Sequence, residues 1–385
     1  MLSAIGRGPA ETLHAFRTHQ SGISTSHHLQ TIHTLPVGEV SFSNQNLQDL
    51  LKVNRTIPRT ALLGIMAARD ALSQCDFDVK SYRTGLISAT TVGGMDLTEQ
   101  FFSDFIKDKE SGEIETIRFH ECGKTTQLIA EDTGLTNFMT TINTACSSSV
   151  NSIIYGARLI AHGHLDVVLA GGTDALCKFT LNGFNSLMIL DKERCRPFDA
   201  SRGGLNLGEG AGFVVLASEK VLKDTGCTSL GKISGFGISS DAFHQTASSP
   251  EGTGSFIAME KALSTAGLAP GVIDYINLHG TGTENNDASE GTAVKRLFGT
   301  KIPRVSSTKG FTGHTLGASG GIESVISILS LMNGMAFPNL GFENPIPEVG
   351  IIPQKIAEAG LPIRHVMSNS FGFGGNCSSI IFSAP

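Results

Sequence analysis

Residues 141–163, TINTACSSSVNSIIYGARLIAHG, decide the fold because the backbone pattern changes within them. The part from Met139 to Ala145 is short and β-prone. From Val150 onward, apolar residues recur at steps of three and four, which indicates a helix, and Gly163 supplies its expected end. Cys146 therefore lies where a predicted strand ends and a predicted helix begins.

That position has chemical consequences for the cysteine. A helix N-terminus presents unpaired N–H donors and the positive end of the helix dipole, so we expect a lowered pKa for the Cys146 thiol. The same N–H groups can hold an oxyanion when the sulfur attacks a carbonyl group. A small buried cysteine that packs a strand–helix joint is the ordinary alternative, and this stretch alone leaves both interpretations open.

Length and composition limit the classes of protein that the chain can represent. It has 385 residues, 45 glycines and no tryptophan, which is typical of one large or two medium α/β domains. A formal charge of −6 argues against general affinity for nucleic acid or anionic lipid. We find no signal-peptide pattern and no apolar run long enough to span a bilayer. Seven cysteines without a C-x-x-C pair argue against disulfides or structural zinc, so we expect a reducing compartment, the cytoplasm.

The order of elements in the second half of the chain repeats that of the first. In the first half, the buried strands DVVLAGG (166–172) and AGFVVL (211–216) follow the central helix. In the second half, strands, glycine-rich turns and apolar helices recur, and one helix is predicted near Ala288–Phe298. We therefore predict an internal duplication with two halves, residues 1–230 and residues 231–385, that share an interface.

Three short motifs in the second half lie where a strand gives way to a turn, the edge of a sheet at which active-site groups gather. They are NLHGTGTENND with His279, SSTKGFTGHTLGASGGIE with Lys309, His314 and Glu323, and SNSFGFGGN at residues 368–376. Each has an ordinary explanation when taken singly: a structural histidine, an ion pair or a tight glycine turn. The segment RCRPFDASRGGLNLGEGAG carries neither a P-loop nor a dinucleotide fingerprint.

Together with TACSSS, these motifs resemble the β-ketoacyl-acyl carrier protein synthases of the thiolase-like fold, in the Cys-His-His group, over nearly the whole chain. The resemblance implies an α/β fold of two pseudo-duplicated halves in five layers, α/β/α/β/α. It also implies an acyltransferase that performs decarboxylative Claisen condensation, in which malonyl-acyl carrier protein extends an acyl chain by two carbons, as in fatty acid biosynthesis. The acyl carrier protein would bring the phosphopantetheine arm, with no metal and no diffusible redox cofactor. We expect a homodimer, and a heterodimer with a related subunit stays open.

The family's catalytic roles transfer to six positions, five side chains and the backbone of Phe373. Cys146 matches the nucleophile that accepts the acyl chain, and His279 and His314 match the pair that promotes malonyl decarboxylation. Lys309 and Glu323 match the charged pair that supports this site. The residue types suit the chemistry, because cysteine is a soft nucleophile and two imidazole N–H groups can stabilise an enolate. An ordinary ion pair remains the alternative for the two charged residues.

Other family positions bind the substrate. Thr281 and Thr283 match hydroxyls that bond the phosphopantetheine arm. Phe373 matches a gate residue whose N–H joins that of the nucleophile in an oxyanion hole; in a simple tight turn it would be a core residue. Phe371 belongs to the same motif and is assigned to substrate binding. Thr98 aligns near a position that limits the depth of the acyl pocket.

A basic cluster lies at the start of the helix predicted from about Pro58 to Ser73. Lys52, Arg55 and Arg59 fall near the family's carrier-docking surface, in a looser alignment. The ordinary alternative is a solvated helix face, on which such cations oppose the helix dipole.

The chain departs from the family pattern in ways that keep other functions open. The strand that usually precedes L-S-x-I-G is missing, which implies either a misassigned start site or a shortened edge of the first sheet. Asn376-Cys377 replaces the usual Thr-Asn, and Glu284 stands where the family often has Pro. A ketosynthase dedicated to a polyketide or aryl-polyene product is one alternative. A non-catalytic chain-length subunit would lack the cysteine, and a thiolase with Cys377 as its second cysteine fits HGTGT less well.

Overall fold

A computed structural model describes residues 1–385 and contains two large β-sheets with helices on and between them. The strands are β1 (Leu2–Ser3), β2 (Gly6–Arg7), β3 (Ile23–Ser24), β4 (Val37–Gly38), β5 (Thr84–Ala89), β6 (Met139–Ile142), β7 (Val167–Asp174), β8 (Gly210–Ala217), β9 (Lys232–Ser240), β10 (Tyr275–Asn277), β11 (Arg304–Ser306), β12 (His365–Gly372) and β13 (Asn376–Ser383). The helices are α1 (Gly8–Thr18), α2 (Asn44–Leu51), α3 (Arg59–Leu72), α4 (Met95–Phe105), α5 (Cys122–Thr133), α6 (Ser148–Ala161), α7 (Lys178–Ser186), α8 (Glu219–Thr225), α9 (Thr253–Ala266), α10 (Glu284–Phe298), α11 (Lys309–Thr312) and α12 (Ser319–Asn333).

The two sheets repeat one topology. The first has the strand order β6-β5-β7-β8-β1-β2, and the second has the order β11-β10-β12-β13-β9. In each sheet the first three strands are parallel, and the fourth runs antiparallel to both of its neighbours. The α/β fold with two pseudo-duplicated halves is therefore confirmed. Every strand of the first sheet precedes residue 230 and every strand of the second follows it, while the boundary between residues 230 and 231 stays a prediction.

The elements stack in five layers. Helices α3 and α5 cover the outer face of the first sheet, and α9 and α10 cover the outer face of the second. Helices α6 and α12 lie between the sheets, in contact with each other and with strands of both. The predicted α/β/α/β/α order is therefore confirmed. Because this central helical layer has a sheet packed on each face, the ends of β6, β10 and β11 lie towards one point.

Glycines allow the central layer to pack closely. A Cβ atom on Gly212 of β8 would lie 2.4 Å from the carbonyl carbon of Gly321, so α12 lies almost against the strand. The two-residue strands β1 and β2 lie at one edge of the first sheet, and β6 forms the other edge. No helix of the structure has the length and apolarity needed to cross a membrane.

Candidate active site

Cys146 follows β6 and directly precedes the first turn of α6. Ala145 before it takes a left-handed conformation with φ of 52°, which is uncommon for a residue with a side chain. Gly372 approaches so closely that a Cβ there would lie 2.9 Å from the Cys146 nitrogen. The position of the buried cysteine therefore depends on a strained turn in the first half and on a glycine in the second.

The serines after Cys146 hold this turn in place. Ser147 Oγ donates to the Thr144 carbonyl at 2.8 Å, and Ser148 Oγ accepts from the Thr144 N–H at 2.8 Å. Ser149 Oγ accepts from the Gly321 N–H at 2.7 Å, which joins α6 to α12. These hydroxyl groups therefore fix the backbone on both sides of the thiol.

Two histidines from the second half lie beside the thiol. His279 lies two residues beyond the end of β10, and His314 lies in the loop before α12. His314 Nε2 is 3.0 Å from Cys146 Sγ, and the two imidazole rings meet edge to face with centroids 5.3 Å apart. The structure thus brings together in one buried pocket the three side chains that the motifs singled out.

Lys309 fixes the orientation of His279. Its Nζ donates to the His279 carbonyl at 2.6 Å and to Glu323 Oε1 at 2.5 Å, and it lies 3.3 Å from His279 Nδ1. An ammonium group only donates hydrogen bonds, so Nδ1 is the accepting nitrogen and Nε2 carries the hydrogen. In contrast, His314 Nδ1 lies 3.0 Å from Ser319 Oγ, a hydroxyl that can donate or accept. His314 can therefore take either tautomer.

Burial controls the protonation of the three side chains. Burial lowers the pKa of His279 well below 6.5, and the charges of Lys309 and His314 act in the same direction. Burial also lowers the pKa of His314 well below 6.5, and the charge of Lys309 adds to that effect. Both rings are neutral at neutral pH as a result. Burial raises the pKa of Cys146 to about 11, because the Lys309 ammonium and two N–H groups do not offset the lost solvation. The lowered thiol pKa expected from the helix N-terminus is thus wrong.

Two backbone N–H groups, that of Cys146 itself and that of Phe373, lie close enough to the sulfur to lower the pKa of the thiol. They come from opposite halves of the chain and converge at one point. Converging N–H donors beside a nucleophile can stabilise an oxyanion. The Phe373 side chain stacks on Phe184 with ring centroids 5.7 Å apart, at the wall of the cleft that leads to the thiol.

Two buried carboxylates on α10 hold the turn that carries His279. Glu290 accepts from the N–H groups of His279 and Gly280, each at 2.8 Å. Asp287 accepts from the Gly282 N–H at 3.2 Å and from Phe198 at 2.7 Å. The sequence prediction assigned no role to either carboxylate; the signal was two acidic residues three positions apart, the first of them four residues after HGTGT.

A cleft of about 330 Å³ connects the thiol with the surface. The predicted substrate-binding residues Thr281, Thr283 and Phe371, with Phe373, lie in its wall. The hydroxyl oxygens of Thr281 and Thr283 are 3.0 Å apart, and the Phe371 ring centroid lies 6.1 Å from that of His279. Thr98 lies outside this cleft: its Oγ1 is 3.2 Å from the Gly94 carbonyl and 3.1 Å from His120 Nδ1.

The predicted carrier-docking residues divide into two kinds. Lys52 and Arg55 are exposed, and Arg55 pairs with Glu131 at 3.1 Å. Arg59 is buried, and its guanidinium bonds both carboxylate oxygens of Glu209. The assignment of Arg59 to a docking surface is therefore wrong, because a buried cation already paired with a buried carboxylate cannot reach a partner protein.

The same pocket has the ligand types of a metal site. One donor atom from each of Cys146, His279 and His314 lies within 4.8 Å of the other two. A thiophilic ion such as Zn²⁺ prefers such ligands, but the Lys309 ammonium beside them would repel a cation. Cys377, the candidate second cysteine of a thiolase, is buried and lies outside the cleft.

Comparisons with known proteins agree with this geometry. Residues 41–221 match the beta-ketoacyl synthase N-terminal domain, and residues 230–343 match the C-terminal domain. The chain is 32% identical to 3-oxoacyl-[acyl-carrier-protein] synthase 2 of Vibrio cholerae, over 99% of this chain and 96% of that protein. It is 33% identical to the Staphylococcus aureus enzyme of the same name, over 88% of this chain and 85% of that protein.

Solved structures show the same fold. The ishigamide ketosynthase/chain length factor superposes with a TM-score of 0.92 at 28% identity, over 100% of this chain and 97% of that one. The ketosynthase ApeO in complex with its chain length factor ApeC, from Xenorhabdus doucetiae, gives a TM-score of 0.87 at 31% identity, over 100% and 96%. In sequence and in structure, the chain belongs to the β-ketoacyl synthase family.

Proposed function

We propose that the protein catalyses decarboxylative Claisen condensation of an acyl group held on Cys146 with malonyl-acyl carrier protein. The observation that carries the proposal is the 3.0 Å contact between Cys146 Sγ and His314 Nε2, with His279 in the same buried pocket. Kinship with 3-oxoacyl-[acyl-carrier-protein] synthases supports the reaction class. The acyl chain gains two carbons in each turnover.

Acyl transfer comes first. Cys146 sulfur attacks the thioester carbonyl of the acyl-carrier protein, and the N–H groups of Cys146 and Phe373 stabilise the tetrahedral oxyanion. His314 takes the thiol proton at Nε2, for which its Nδ1 must carry the other hydrogen and donate to Ser319 Oγ. The carrier thiolate leaves with a proton, and the acyl group stays on the sulfur.

Decarboxylation follows once malonyl-carrier protein occupies the cleft. The C–C bond to the carboxylate breaks, CO₂ leaves, and its electron pair forms an enolate on the thioester. His279 Nε2–H, held in that tautomer by Lys309, and His314 in its Nε2–H form donate to the enolate oxygen. Each such donor can contribute roughly 3 kcal/mol to lowering the barrier. Both rings are neutral because burial lowers the pKa of each well below 6.5.

Condensation closes the cycle. The enolate carbon attacks the carbonyl of the acyl group on Cys146, and the two backbone N–H groups again receive the oxyanion. Collapse of that intermediate breaks the C–S bond and releases the Cys146 thiolate, which takes up one proton from solvent, while the β-ketoacyl chain leaves on the carrier protein. Thr281 and Thr283 offer hydroxyls to the phosphopantetheine arm, which arrives with the carrier. The scheme requires no metal and no diffusible redox cofactor.

The test is to incubate the purified protein with acyl- and malonyl-carrier proteins. Mass spectrometry should detect an acyl adduct on Cys146 and a β-ketoacyl product two carbons longer. Malonyl decarboxylation should fall to background in a His279→Ala, His314→Ala double variant. A protein that forms neither adduct nor product with any acyl chain offered would contradict the proposal and favour a non-catalytic chain-length subunit.

Similarity to two ketosynthases that have chain length factors supports a second candidate, a ketosynthase dedicated to a polyketide or aryl-polyene product. A panel of saturated and polyunsaturated acyl-carrier proteins separates the candidates. Saturated chains should acylate Cys146 faster if the product is a fatty acid. Polyunsaturated chains should do so if the product is a polyene.

We propose a homodimer as the assembly, with a heterodimer formed with a related subunit as the alternative. Large apolar side chains are exposed on and near α4 and the edge strand β6, among them Phe102, Ile106 and Met139. Such a patch is typical of a protein interface. Native mass spectrometry of the protein alone, and after coexpression with a related subunit, distinguishes the two. A reducing compartment, the cytoplasm, suits a chain whose seven cysteines are all free.

A further inference from the structure

Met188 combines two unfavourable properties. It lies two residues beyond α7 in the left-handed conformation, with φ of 57°, where helices usually carry glycine. Its side chain is also 88% exposed. Of the seven non-glycine residues with positive φ, it is the only large apolar one that is exposed, since Phe198 and Leu316 are buried. Backbone strain combined with an exposed apolar side chain is typical of a functional site.

The surroundings of Met188 suggest what it contacts. It lies in the wall of the cleft that leads to Cys146, followed along the chain by Ile189. The other lining residues that are exposed are polar or are glycines. They are Gly203, His244, Thr246, Glu284, Asn285 and Gly374. Met188 therefore supplies the apolar side chain of an otherwise polar rim.

The phosphopantetheine arm has a matching distribution of groups. Its thiol end must reach Cys146, its middle carries two amides, and its pantoate end, next to the phosphate, carries a geminal dimethyl group. When the thioester lies at the bottom of the cleft, the dimethyl group lies towards the rim. We infer that Met188 is a specificity-determining residue that packs against the geminal dimethyl group of the arm. The inference rests on the proposed function and deepens it.

Substitutions at one position separate strain from contact. Met188→Gly removes both the side chain and the strain, and Met188→Asn suits the left-handed conformation but is polar. Both should raise KM for malonyl-carrier protein and for malonyl-coenzyme A by about fivefold, the loss expected for part of an apolar side chain, with a smaller change in kcat. Met188→Leu should restore most of the affinity. The thermal midpoint of Met188→Gly should be no lower than that of the parent protein, because the strain is relieved.

Leu187→Ala is the matched control, because Leu187 is an exposed apolar neighbour outside the cleft, and its KM should equal that of the parent. Malonyl-coenzyme A carries the arm without the carrier protein, so a KM rise confined to malonyl-carrier protein would overturn the assignment to the arm. An unchanged KM in Met188→Gly, or a large fall in its thermal midpoint, would overturn it as well.

Calorimetry can measure the binding of a pantetheine amide, which tests the inference independently of turnover. The parent should bind this non-reactive probe more tightly than Met188→Gly does. If the parent protein lacks condensing activity but shows this difference, the proposed function fails and the contact stands. If the parent condenses normally and the two proteins bind the probe equally, the contact fails and the proposed function stands.

Discussion

The junction between β6 and α6 and the junction between β11 and α12 occupy the same place in the duplicated topology, yet they are built differently. The first presents Cys146 through a strained Ala145 and serine hydroxyls that carry no charge. The second places Lys309 and Glu323, both fully buried, beside the imidazole rings. The duplicated fold therefore supplies one pocket, and each half supplies a different chemical setting.

The two junctions together show how one pocket can serve two reactions. Acyl transfer needs a sulfur, which the strained turn provides, and N–H donors, of which Cys146 supplies one and Phe373 the other. Decarboxylation needs neutral imidazoles that donate from Nε2, and in the second half burial keeps both rings neutral while Lys309 holds His279 in that tautomer. Variants in the two halves should therefore separate the two partial reactions.

The sharpest separation comes from Cys146→Ala. Loss of the nucleophile should lower condensation by roughly 10⁴-fold or more, since no other group in the pocket can hold the acyl chain. Release of CO₂ from malonyl-carrier protein should persist, because both imidazoles remain. Radiolabelled acyl transfer and ¹⁴CO₂ release measure the two reactions. Acylation of the Cys146→Ala protein would contradict the assignment of acyl transfer to Cys146.

His279→Ala should have the complementary effect. Removal of one enolate donor should slow decarboxylation by about 10²- to 10³-fold, the usual loss for such a donor. Acylation of Cys146 should be affected much less, because the imidazole that bonds the sulfur is that of His314, whose Nε2 lies 3.0 Å from it. Equal losses in both partial reactions would contradict the assignment of decarboxylation to the second half.

Glu290→Gln tests whether the buried carboxylate positions His279. Both carboxylate oxygens accept backbone N–H bonds, and an amide would turn an NH₂ group towards one of those donors. A displaced imidazole should slow decarboxylation by roughly 10- to 100-fold. Acyl transfer should change little, which a merely destabilised protein would not show.

The control for this substitution is Glu260→Gln, an exposed position on α9, for which both partial rates should match the parent. If Glu290→Gln slowed both reactions alike, the carboxylate would support the whole pocket and not His279 in particular.

The sequence was sufficient to predict the fold. It was also sufficient to predict those pocket residues that belong to a motif next to a change of periodicity. Cys146, His279 and His314 each lie next to a strand end, so their convergence followed from the duplicated order of elements. The start of α10 was predicted near residue 288 and not at Glu284 because the sequence ENNDASEG is polar and lacks the apolar spacing that marks a helix. Element boundaries were the weakest part of the prediction for that reason.

Two errors came from contacts between distant parts of the chain. Arg59 appeared as a surface cation because its partner, Glu209, is 150 residues away and nothing local indicates the pairing. The thiol pKa of Cys146 was expected to fall because a helix begins beside it. Burial by the second half has the larger effect, and a single sequence does not report burial directly.

The pH dependence of thiol reactivity distinguishes burial from the helix effect in the first half. Burial raises the pKa of Cys146 to about 11, so the thiolate is the minor form across the neutral range. Alkylation of Cys146 by iodoacetamide should therefore rise about tenfold per pH unit between pH 7 and roughly pH 10. A plateau near pH 7 would mean that the helix N-terminus lowers the pKa of the Cys146 thiol by more than burial raises it. Peptide mapping follows Cys146 separately from the other thiols.

The smallest expected effect concerns the surface of the first half. Lys52→Ala with Arg55→Ala removes two exposed cations at the predicted carrier-docking surface, and KM for the carrier protein should rise about threefold at low salt. The rise should vanish at high salt, because screening removes a surface attraction but not a buried contact. Arg304→Ala breaks a comparable exposed ion pair with Glu358 in the second half, and it should leave KM and its salt dependence unchanged. Equal effects from both surfaces would mean that the carrier responds to overall charge and does not select the first half.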